Sequence, residues 1–253
     1  VIEARSIGIS SMIFDQRTPL KEPEKLFSDV THIIASIPPS ENGELALLLH
    51  SDQLRDATSL TWVNYLSTPA VYGDRSGGVA SEFDEPTPTS KRGERRLAAE
   101  RAWIDTFSGT RVSVQIMRIA GIYGPGRSVI EQVAAGRARI IEKEGQVFNR
   151  IHVDDIGTSL IASMLRPNDK RIYNLADGNP CASGEVTRYA CKLLQVEPPT
   201  PIKFEDAQLS DMARSFYSEC KILETSRLRN ELLVNLRYPS YKEGLRQILQ
   251  DIN

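Results

Sequence analysis

Short apolar runs alternate with helical patterns over the first half of the chain, and this alternation constrains the fold more than any other feature. The apolar runs are rich in β-branched residues and lie at 9–14, 31–36, 61–66 and 112–119. They are typical of strands that are buried on both faces. Helical patterns at 43–57 and 92–107 separate the later runs. The sequence therefore predicts an α/β architecture, with a doubly wound parallel sheet and crossover helices.

The second half of the chain is less regular and mainly helical. Its predicted elements are a helix at about 154–166, a short strand "IYNL" and helices near 184–194, 221–233 and 241–252. We therefore expect two interleaved domains. Residues 1–125 and 151–177 form the sheet domain, and residues 126–150 and 178–253 form a small, mostly helical cap. Residues 1–8 have the pattern of a last helical turn that Gly8 caps.

Composition narrows the classes of function. Lys and Arg number 31 against 33 Asp and Glu, so a formal charge of -2 creates no field that recruits nucleic acid or an anionic membrane. Cys181, Cys191 and Cys220 are odd in number and widely spaced, which favours a reducing compartment and no metal site. No apolar run approaches the ~20 residues that span a bilayer. We expect a cytoplasmic protein with a small-molecule substrate; its oligomeric state stays open, with a homodimer as the candidate.

Polar residues and glycines follow the predicted strands, at the edge where open α/β sheets bind ligands. Strand "THIIAS" is followed by "IPPS", whose prolines stiffen the turn and withhold backbone donors. Strand "TWVNYL" is followed by the hydroxyls of Ser67 and Thr68. Strand "QIMRI" is followed by "AGIYGPGR", with three glycines and Arg127 as an anion ligand. When each stretch is taken singly, an ordinary turn explains it at least as well as a ligand site does.

Taken together, these stretches resemble the NAD-dependent epimerase/dehydratase family of extended short-chain dehydrogenase/reductases. The motifs "STPAVYGD", "EFDEPTPTS", "LAAE", "RIAGIYGPG", "RIHVDDIG" and "YNLADG" follow one another in that family's order. The resemblance covers nearly the whole chain and is strongest to an atypical branch with "RG…R" in its central helix. It implies a Rossmann-type domain that binds NAD or NADP, and a small C-terminal domain that closes over a substrate.

The resemblance also implies a set of site residues. The residues implied to bind the cofactor are Ser36, Ile37, Pro38, Ser67, Arg96, Ile119, Ala120, Gly121 and Ile122. The residues at or near the catalytic positions are Thr68, Tyr72, Arg92 and Arg96. Those that would line the substrate side are Tyr123, Arg127, Arg150, Arg214 and Tyr217. His152 is expected to anchor the helix that it precedes, with Asp154 or Asp155 as the N-cap.

Two departures from the family pattern limit the inference of function. The first is that the sequence contains no Gly-x-Gly-x-x-Gly turn to hold a pyrophosphate at a helix N-terminus. The resemblance places Val1 near the end of the second helix, so the first βαβ unit is expected to be truncated here. The choice between NAD and NADP therefore cannot be read from these residues.

The second departure is that the family's active-site tyrosine and lysine fall at Arg92 and Arg96. A guanidinium stays protonated at working pH and cannot replace a tyrosine in proton transfer. Arg96 keeps the charge and the donors with which the lysine would hold the nicotinamide ribose. We expect both arginines to face a cleft, on the side of Trp103 and Phe107. The alternative is that Arg96 pairs with Glu100 on a solvated helix face.

Two functions remain open at this stage. The first is an NAD(P)-dependent oxidoreductase or epimerase for a small, anionic hydroxyl or carbonyl substrate. The second is a dinucleotide-binding protein without catalysis, acting as a sensor or structural protein. The missing tyrosine favours the second, whereas Thr68, Arg96 and the cap favour the first. Phe148 and Asn149 replace the Arg-Asp pair of the family's sugar-nucleotide enzymes, which argues against a nucleoside diphosphate sugar as substrate.

Overall fold

The computed structural model describes residues 8–15 and 17–252, so the helical turn predicted at 1–8 lies outside them except for Gly8. In chain order the strands are β1 (His32–Ala35), β2 (Trp62–Ser67), β3 (Val79–Ala80), β4 (Ser113–Ile119), β5 (Gly121–Tyr123), β6 (Ile141–Glu142), β7 (Arg150–His152), β8 (Arg171–Leu175), β9 (Ile202–Lys203) and β10 (Ile222–Leu223). The helices are α1 (Pro23–Phe27), α2 (Leu45–Arg55), α3 (Lys91–Thr106), α4 (Val129–Ala134), α5 (Val153–Leu165), α6 (Ser183–Leu194), α7 (Asp211–Ser215), α8 (Ser226–Asn230) and α9 (Tyr241–Ile252).

A parallel sheet of four strands in the order β1-β2-β4-β8 forms the centre of the molecule. The two middle strands are buried on both faces because helices cover both sides of the sheet, which explains their nearly continuous apolar sequence. Three short parallel pairs, β3 with β10, β5 with β7 and β6 with β9, join the remaining segments. The predicted α/β, Rossmann-type fold is thus confirmed.

Two apolar cores lie on either side of the sheet. One joins α2 and α3 to the sheet and includes Leu54, Tyr65, Trp103 and Phe107. The rings of Trp103 and Phe107 stack with centroids 6.2 Å apart. The second core includes Met117 of β4, Leu175 of β8 and residues of α8. Each fully buried side chain of this size contributes about 1.5–3 kcal/mol, so these two layers fix α3 against the strand ends.

The cap has its own apolar core between α4, α6 and α9, to which Tyr123 of β5 also contributes. Helix α6 is strongly amphipathic and buries Val186 and Ala190 on its inner face. A smaller cluster of Ile141, Ala207 and Tyr217 closes the outer end of the cap. Within the described residues, no helix combines the length and the apolar character needed to cross a bilayer.

Two predicted elements are wrong. Residues 9–14 form no strand, and Ile13 is 81% exposed there. A strand needs a neighbouring strand with which to form hydrogen bonds. Among the described residues β1 pairs with β2 alone, so residues 9–14 do not continue the sheet as a strand at its outer edge. The helix predicted at 221–233 is instead β10 followed by the short α8, because Ile222 and Leu223 pair with Val79 and Ala80. Leu223 and Leu228 pack in the core beside the sheet, although the sequence assigned them to the cap.

Candidate functional site

The C-terminal ends of three parallel strands lie side by side and form the candidate cofactor edge. Because the order is β1-β2-β4, the segments that follow these strands are adjacent. After β1, Ser36 and Pro38 are exposed and Ile37 is half-buried. At the end of β4, Ile119 and the following Ala120 are buried, whereas Gly121 and Ile122 are exposed. Residues 36–38 and 121–122 thus border an open edge, with the end of β2 between them.

Thr68 stands at the end of β2, where the chain turns into a short 3₁₀ helix at Pro69–Tyr72. Its backbone is extended, and its hydroxyl oxygen accepts a hydrogen bond from the amide of Ala70 at 3.4 Å. Thr68 is half-buried, so it remains accessible from the cleft side. The cap bond occupies a lone pair of the oxygen and leaves the hydroxyl hydrogen free to be donated to a ligand.

A network of buried charges, here called the sheet-end network, lies directly beneath this edge. It consists of Ser67, Glu100 of α3 and Arg118 of β4. Glu100 and Arg118 are 2% and 1% exposed, and two bonds of 3.1 and 2.7 Å join their side chains. The hydroxyl of Ser67 donates to the same carboxylate at 2.5 Å. The alternative that Glu100 pairs with Arg96 on a solvated face is therefore wrong.

Arg96 lies one helical turn before Glu100 and reaches the end of β2. Its Nη1 donates to the carbonyl oxygen of Leu66 at 2.6 Å and contacts the hydroxyl of Tyr65 at 3.5 Å. The guanidinium also lies over the ring of Tyr65, 5.8 Å from its centroid. Arg96 is half-buried. The predicted inward orientation is thus found for Arg96, next to Thr68.

Arg92 lies on the first turn of α3 and faces the cap. It is exposed, and its guanidinium lies 5.7 Å from the ring centroid of Phe216, just after α7. Nearby, the hydroxyl of Thr89 donates to Glu219 at 3.0 Å. The start of α3 and the segment after α7 therefore face each other across the gap between sheet and cap. Arg92 borders that gap and is open to solvent, in contrast to Arg96.

A cavity of about 270 Å³ lies inside the cap. Its lining residues are Ile141, Glu142, Lys143, Glu144, Gln146, Phe148, Ala182, Ser183, Gly184, Arg188 and Tyr217. The ammonium of Lys143 donates to the carbonyl oxygen of Tyr217, and the hydroxyl of Tyr217 lies 3.3 Å from that of Ser183. Arg188 forms an ion pair with Glu142. The wall thus combines an aromatic ring, hydroxyls and balanced charges.

The structure separates the predicted substrate residues. Tyr217 lines the cavity, and Arg127 is exposed in the turn before α4. Arg214 lies over the ring of Phe204 and donates to a backbone carbonyl, so it supports the outer cap. Arg150 donates from Nη1 to the backbone carbonyls of residues 148 and 181, so this nitrogen bonds within the protein and not to a substrate.

Two tyrosines do not fit the roles expected of them. Tyr72 is fully buried, its hydroxyl donates to Asn174 at 2.8 Å, and Arg118 lies over its ring. Burial raises the pKa of its hydroxyl, so Tyr72 packs the sheet rather than exchanging protons with a ligand. Tyr123 is also buried, and its hydroxyl donates to the carbonyl of Ser240 in the cap core. Neither hydroxyl is open to a substrate.

The expected N-cap of α5 is also corrected. His152 occupies that position, and its Nδ1 accepts a hydrogen bond from the amide of Asp154 at 3.2 Å. Asp155 is fully buried and accepts bonds from the amides of Arg237 and Tyr238 at 2.7 and 3.0 Å. Asp155 thus ties α5 to the segment before α9, and His152 anchors the helix as predicted.

Comparison with known proteins places this geometry in context. No family model matches the chain. Protein YeeZ of Escherichia coli is 31% identical over an alignment of 245 positions, which covers 93% of this chain and 83% of YeeZ. A functionally unknown conserved protein of Silicibacter pomeroyi is 38% identical, with a TM-score of 0.90 over 99% of this chain and 86% of that chain.

A more distant match extends the fold assignment. The UDP-glucuronic acid 4-epimerase of Bacillus cereus, solved with UDP-glucuronic acid and NAD, is 17% identical, with a TM-score of 0.75 over 99% of this chain and 85% of that chain. At this identity the match shows a shared fold alone. The chain therefore belongs to the same family as YeeZ, and it has the Rossmann-type fold of the NAD-dependent epimerases and dehydratases, which its sequence predicted.

Proposed function

We propose that this chain belongs to an NAD(P)-dependent oxidoreductase or epimerase-like protein that acts on a small, anionic hydroxyl or carbonyl substrate. One observation carries the proposal: Arg96 lies against the end of β2, beside an accessible Thr68, at the edge where open α/β sheets bind their ligands. The expected cytoplasmic location and the homodimer are part of the same proposal.

The residues present fit the nicotinamide half of a dinucleotide. Ser36 and Pro38 on one side and Gly121 and Ile122 on the other border an open, weakly polar edge. Both polar contacts of Arg96 involve Nη1, and a guanidinium carries five N–H donors, so donors remain for ribose hydroxyls. The sequence contains no Gly-x-Gly-x-x-Gly turn, so the fit concerns this half of the ligand only.

The roles of the side chains follow from their positions. A bound nicotinamide cofactor supplies hydride transfer, and the protein supplies binding and orientation. In the proposal, Arg96 binds the ribose and Thr68 donates its hydroxyl hydrogen to the substrate oxygen. Arg92 binds an anionic group of the substrate from the side that faces the cap. A guanidinium does not exchange protons at working pH, so Arg92 orients the substrate and does not act as its acid or base.

The size and lining of the cap cavity support a small substrate. A volume of about 270 Å³ is just below the range of about 300–1,000 Å³ that is usual for small-molecule sites. Phe148 lines it at a position where the family's sugar-nucleotide enzymes carry an arginine, which removes a phosphate ligand. The charges in the wall are balanced, because Arg188 pairs with Glu142. Arg92 lies outside this wall, at the gap between sheet and cap, and in the proposal it adds the positive charge that binds an anionic substrate.

A second candidate is a dinucleotide-binding protein without catalysis. The exposed Arg92 favours it, because this position carries the proton-transferring tyrosine in the family that the sequence resembles. In that case the bound dinucleotide would serve structure or sensing, and the cap would respond to it.

Turnover separates the two candidates. The full-length protein is supplied with NADH or NADPH, and the absorbance of the nicotinamide is followed with panels of keto acids, hydroxy acids and neutral sugars. The proposal predicts turnover of anionic substrates that Thr68→Val lowers by about 10- to 100-fold with little change in cofactor affinity. Glu94→Ala, an exposed change on the first turns of α3, is the control. Cofactor binding without turnover of any substrate would favour the second candidate.

A further inference from the structure

A second group of polar side chains lies beside the cap cavity, with Arg150 half-buried and the other three buried. This junction cluster consists of Tyr123, Arg150, His152 and Asp177, where β5 and β7 meet the chain that leaves β8. Among the described residues, the buried atoms Asp177 Oδ2 and His152 Nε2 have no hydrogen-bond partner. The proposed site uses neither side chain, so their burial calls for a separate explanation.

The carboxyl group of Asp177 is only half satisfied. Asp177 is 6% exposed, and its Oδ1 accepts a bond from the amide of Asn179 at 2.9 Å. Its own amide donates to the carbonyl of Arg150 at 2.7 Å, which holds it against β7. A buried carboxylate with one unpaired oxygen is unfavourable, so the neutral acid is favoured. Burial accordingly raises the pKa of Asp177 to about 7.

The charges around Asp177 come from several elements. Asp155 of α5 and Glu243 of α9 act to raise the pKa of Asp177 further, and Arg150 of β7 acts to lower it. The phenol of Tyr123 and the thiol of Cys181 also feel its charge. The two acidic neighbours already accept hydrogen bonds. Asp155 accepts from two backbone amides, and Glu243 accepts from the hydroxyl of Ser240. Arg150 is therefore the cation that would respond to ionised Asp177.

Arg150 in turn holds the wall of the cap cavity. Its Nη1 donates to the carbonyls of Phe148 and Cys181 at 2.9 and 3.2 Å and to the sulfur of Cys181 at 3.3 Å. Phe148 and Cys181 pair with each other through two backbone bonds of 3.0 and 3.3 Å. Phe148 lines the cavity, and so do Ala182 and Ser183, which follow Cys181. The guanidinium thus bridges the two segments that form this wall.

We propose that Asp177 and Arg150 form a proton-operated switch that sets the shape of the cap cavity. While Asp177 is protonated, Arg150 stays on the carbonyls of Phe148 and Cys181. When the carboxyl releases its proton to solvent, the carboxylate competes for the guanidinium, because a charge-assisted bond is stronger than a bond to a neutral carbonyl. Arg150 then leaves the wall, and the bridge between Phe148 and Cys181 loosens.

NMR of the full-length protein tests the switch without cofactor or substrate, so the result is independent of the proposed function. The carboxyl carbon of Asp177 and the amides of Phe148 and Cys181 are followed from about pH 5 to pH 9. We expect one shared midpoint near 7 and loss of the amide shifts in Asp177→Asn. Asp52→Asn, an exposed change on α2, should leave them unchanged. A carboxyl midpoint below about 5, or amide shifts that persist in Asp177→Asn, would overturn the proposal.

A second variant keeps the proposal testable if Asp177→Asn folds poorly. Arg150→Lys retains the charge but not the forked guanidinium that bridges two carbonyls. Hydrogen exchange at Phe148 and Cys181 should then be faster than in the unmodified protein below pH 7, by about 10-fold or more, and no longer depend on pH beyond the intrinsic rate. Unchanged protection in Arg150→Lys would rule out the guanidinium as the bridge.

Discussion

The sheet-end network and the junction cluster both contain a buried carboxyl group, but only in the sheet-end network do both carboxyl oxygens have hydrogen-bond partners. Glu100 accepts three bonds, from Ser67 and from two nitrogens of Arg118. Asp177 leaves one carboxyl oxygen without a partner among the described residues. Arg118 Nη1 also has no hydrogen-bond partner among the described residues, but the Glu100 carboxylate is bonded at both oxygens and paired with a cation. Such a carboxylate stays ionised in one geometry, whereas the half-bonded carboxyl of Asp177 is sensitive to its proton. The comparison indicates a rigid floor beneath the proposed cofactor edge and, in the proposed switch, an adjustable wall in the cap.

The largest effect is expected at Glu100. Glu100→Ala leaves the guanidinium of Arg118 buried without its carboxylate, which costs about 3–5 kcal/mol of the free energy of unfolding. Urea denaturation measures this loss. Glu94→Ala, on the exposed side of α3, is the control and should change stability by less than about 0.5 kcal/mol.

A double variant sharpens this test. Replacing both Glu100 and Arg118 by Met removes the unpaired charge, so stability should recover by at least half of the single-variant loss. A Glu100→Ala protein within about 1 kcal/mol of the unmodified protein would show that the network does not anchor the strand ends.

The next effect concerns the pH dependence of stability at Asp177. Its pKa in the folded protein, about 7, is higher than the ~3.9 of an unfolded aspartate, so the folded state binds the proton more tightly. The resulting stabilisation is full below about pH 4 and is lost as the pH rises through about 7, an effect of roughly 4 kcal/mol. Asp177→Asn should remove this part of the pH dependence of the urea midpoint. Equal slopes for Asp177→Asn and the unmodified protein would place the ionisation elsewhere.

A smaller effect is expected where α3 crosses the turn that carries Thr68. A β-carbon on Gly93 would lie 2.6 Å from the carbonyl oxygen of Ala70 and 2.9 Å from Pro88. Gly93→Ala should therefore lower the free energy of unfolding by about 1–3 kcal/mol, whereas a change from glycine to alanine inside a helix usually raises it. Gly157→Ala in α5 is the matched control, because nothing lies within 4 Å of its β-carbon, and it should stabilise by about 0.5–1 kcal/mol. Stabilisation by both changes would show that α3 is not seated on this turn.

The smallest effect on stability is expected for the exposed guanidinium. Arg92→Ala should change the free energy of unfolding by less than about 0.5 kcal/mol, because within the described part of the chain Arg92 contacts the half-exposed ring of Phe216 alone. Arg96→Ala should cost about 1 kcal/mol, because the bond to the carbonyl of Leu66 is lost. Thermal denaturation of the two variants side by side checks this order; the reverse order would mean that Arg92, and not Arg96, supports the strand end.

The sequence predicted the elements whose signals are local. The strands β1, β2, β4 and β8 and the helices α2, α3, α5, α6 and α9 all lie close to their expected positions. Residues 9–14 have the same apolar composition but no ladder, because pairing depends on neighbours that composition does not reveal. The pairing of Ile222 with Val79 joins segments more than 140 residues apart and is equally invisible in either segment.

The positions of the candidate site residues were predictable from the sequence, but their buried contacts were not. Arg96 and Thr68 lie at the strand ends because the order of parallel strands determines which turns are adjacent. The pairing of Glu100 with Arg118 was missed, although a charged residue inside the apolar run "QIMRI" is itself a signal of a buried partner. The turn motif predicted that the hydroxyl of Tyr72 is open to a ligand, but the 3₁₀ helix places its ring against the guanidinium of Arg118. Such orientations depend on tertiary packing.

Binding of NADH to the full-length protein tests the central claim most directly, namely that Arg96 holds a dinucleotide at the strand ends. Fluorescence titration compares the unmodified protein with Arg96→Ala, Arg92→Ala and the control Glu94→Ala. We predict that Arg96→Ala weakens binding by about 10-fold or more, equivalent to ~1.4 kcal/mol, while the other two bind normally. Equal affinity in all four proteins, or the larger loss in Arg92→Ala, would contradict the account.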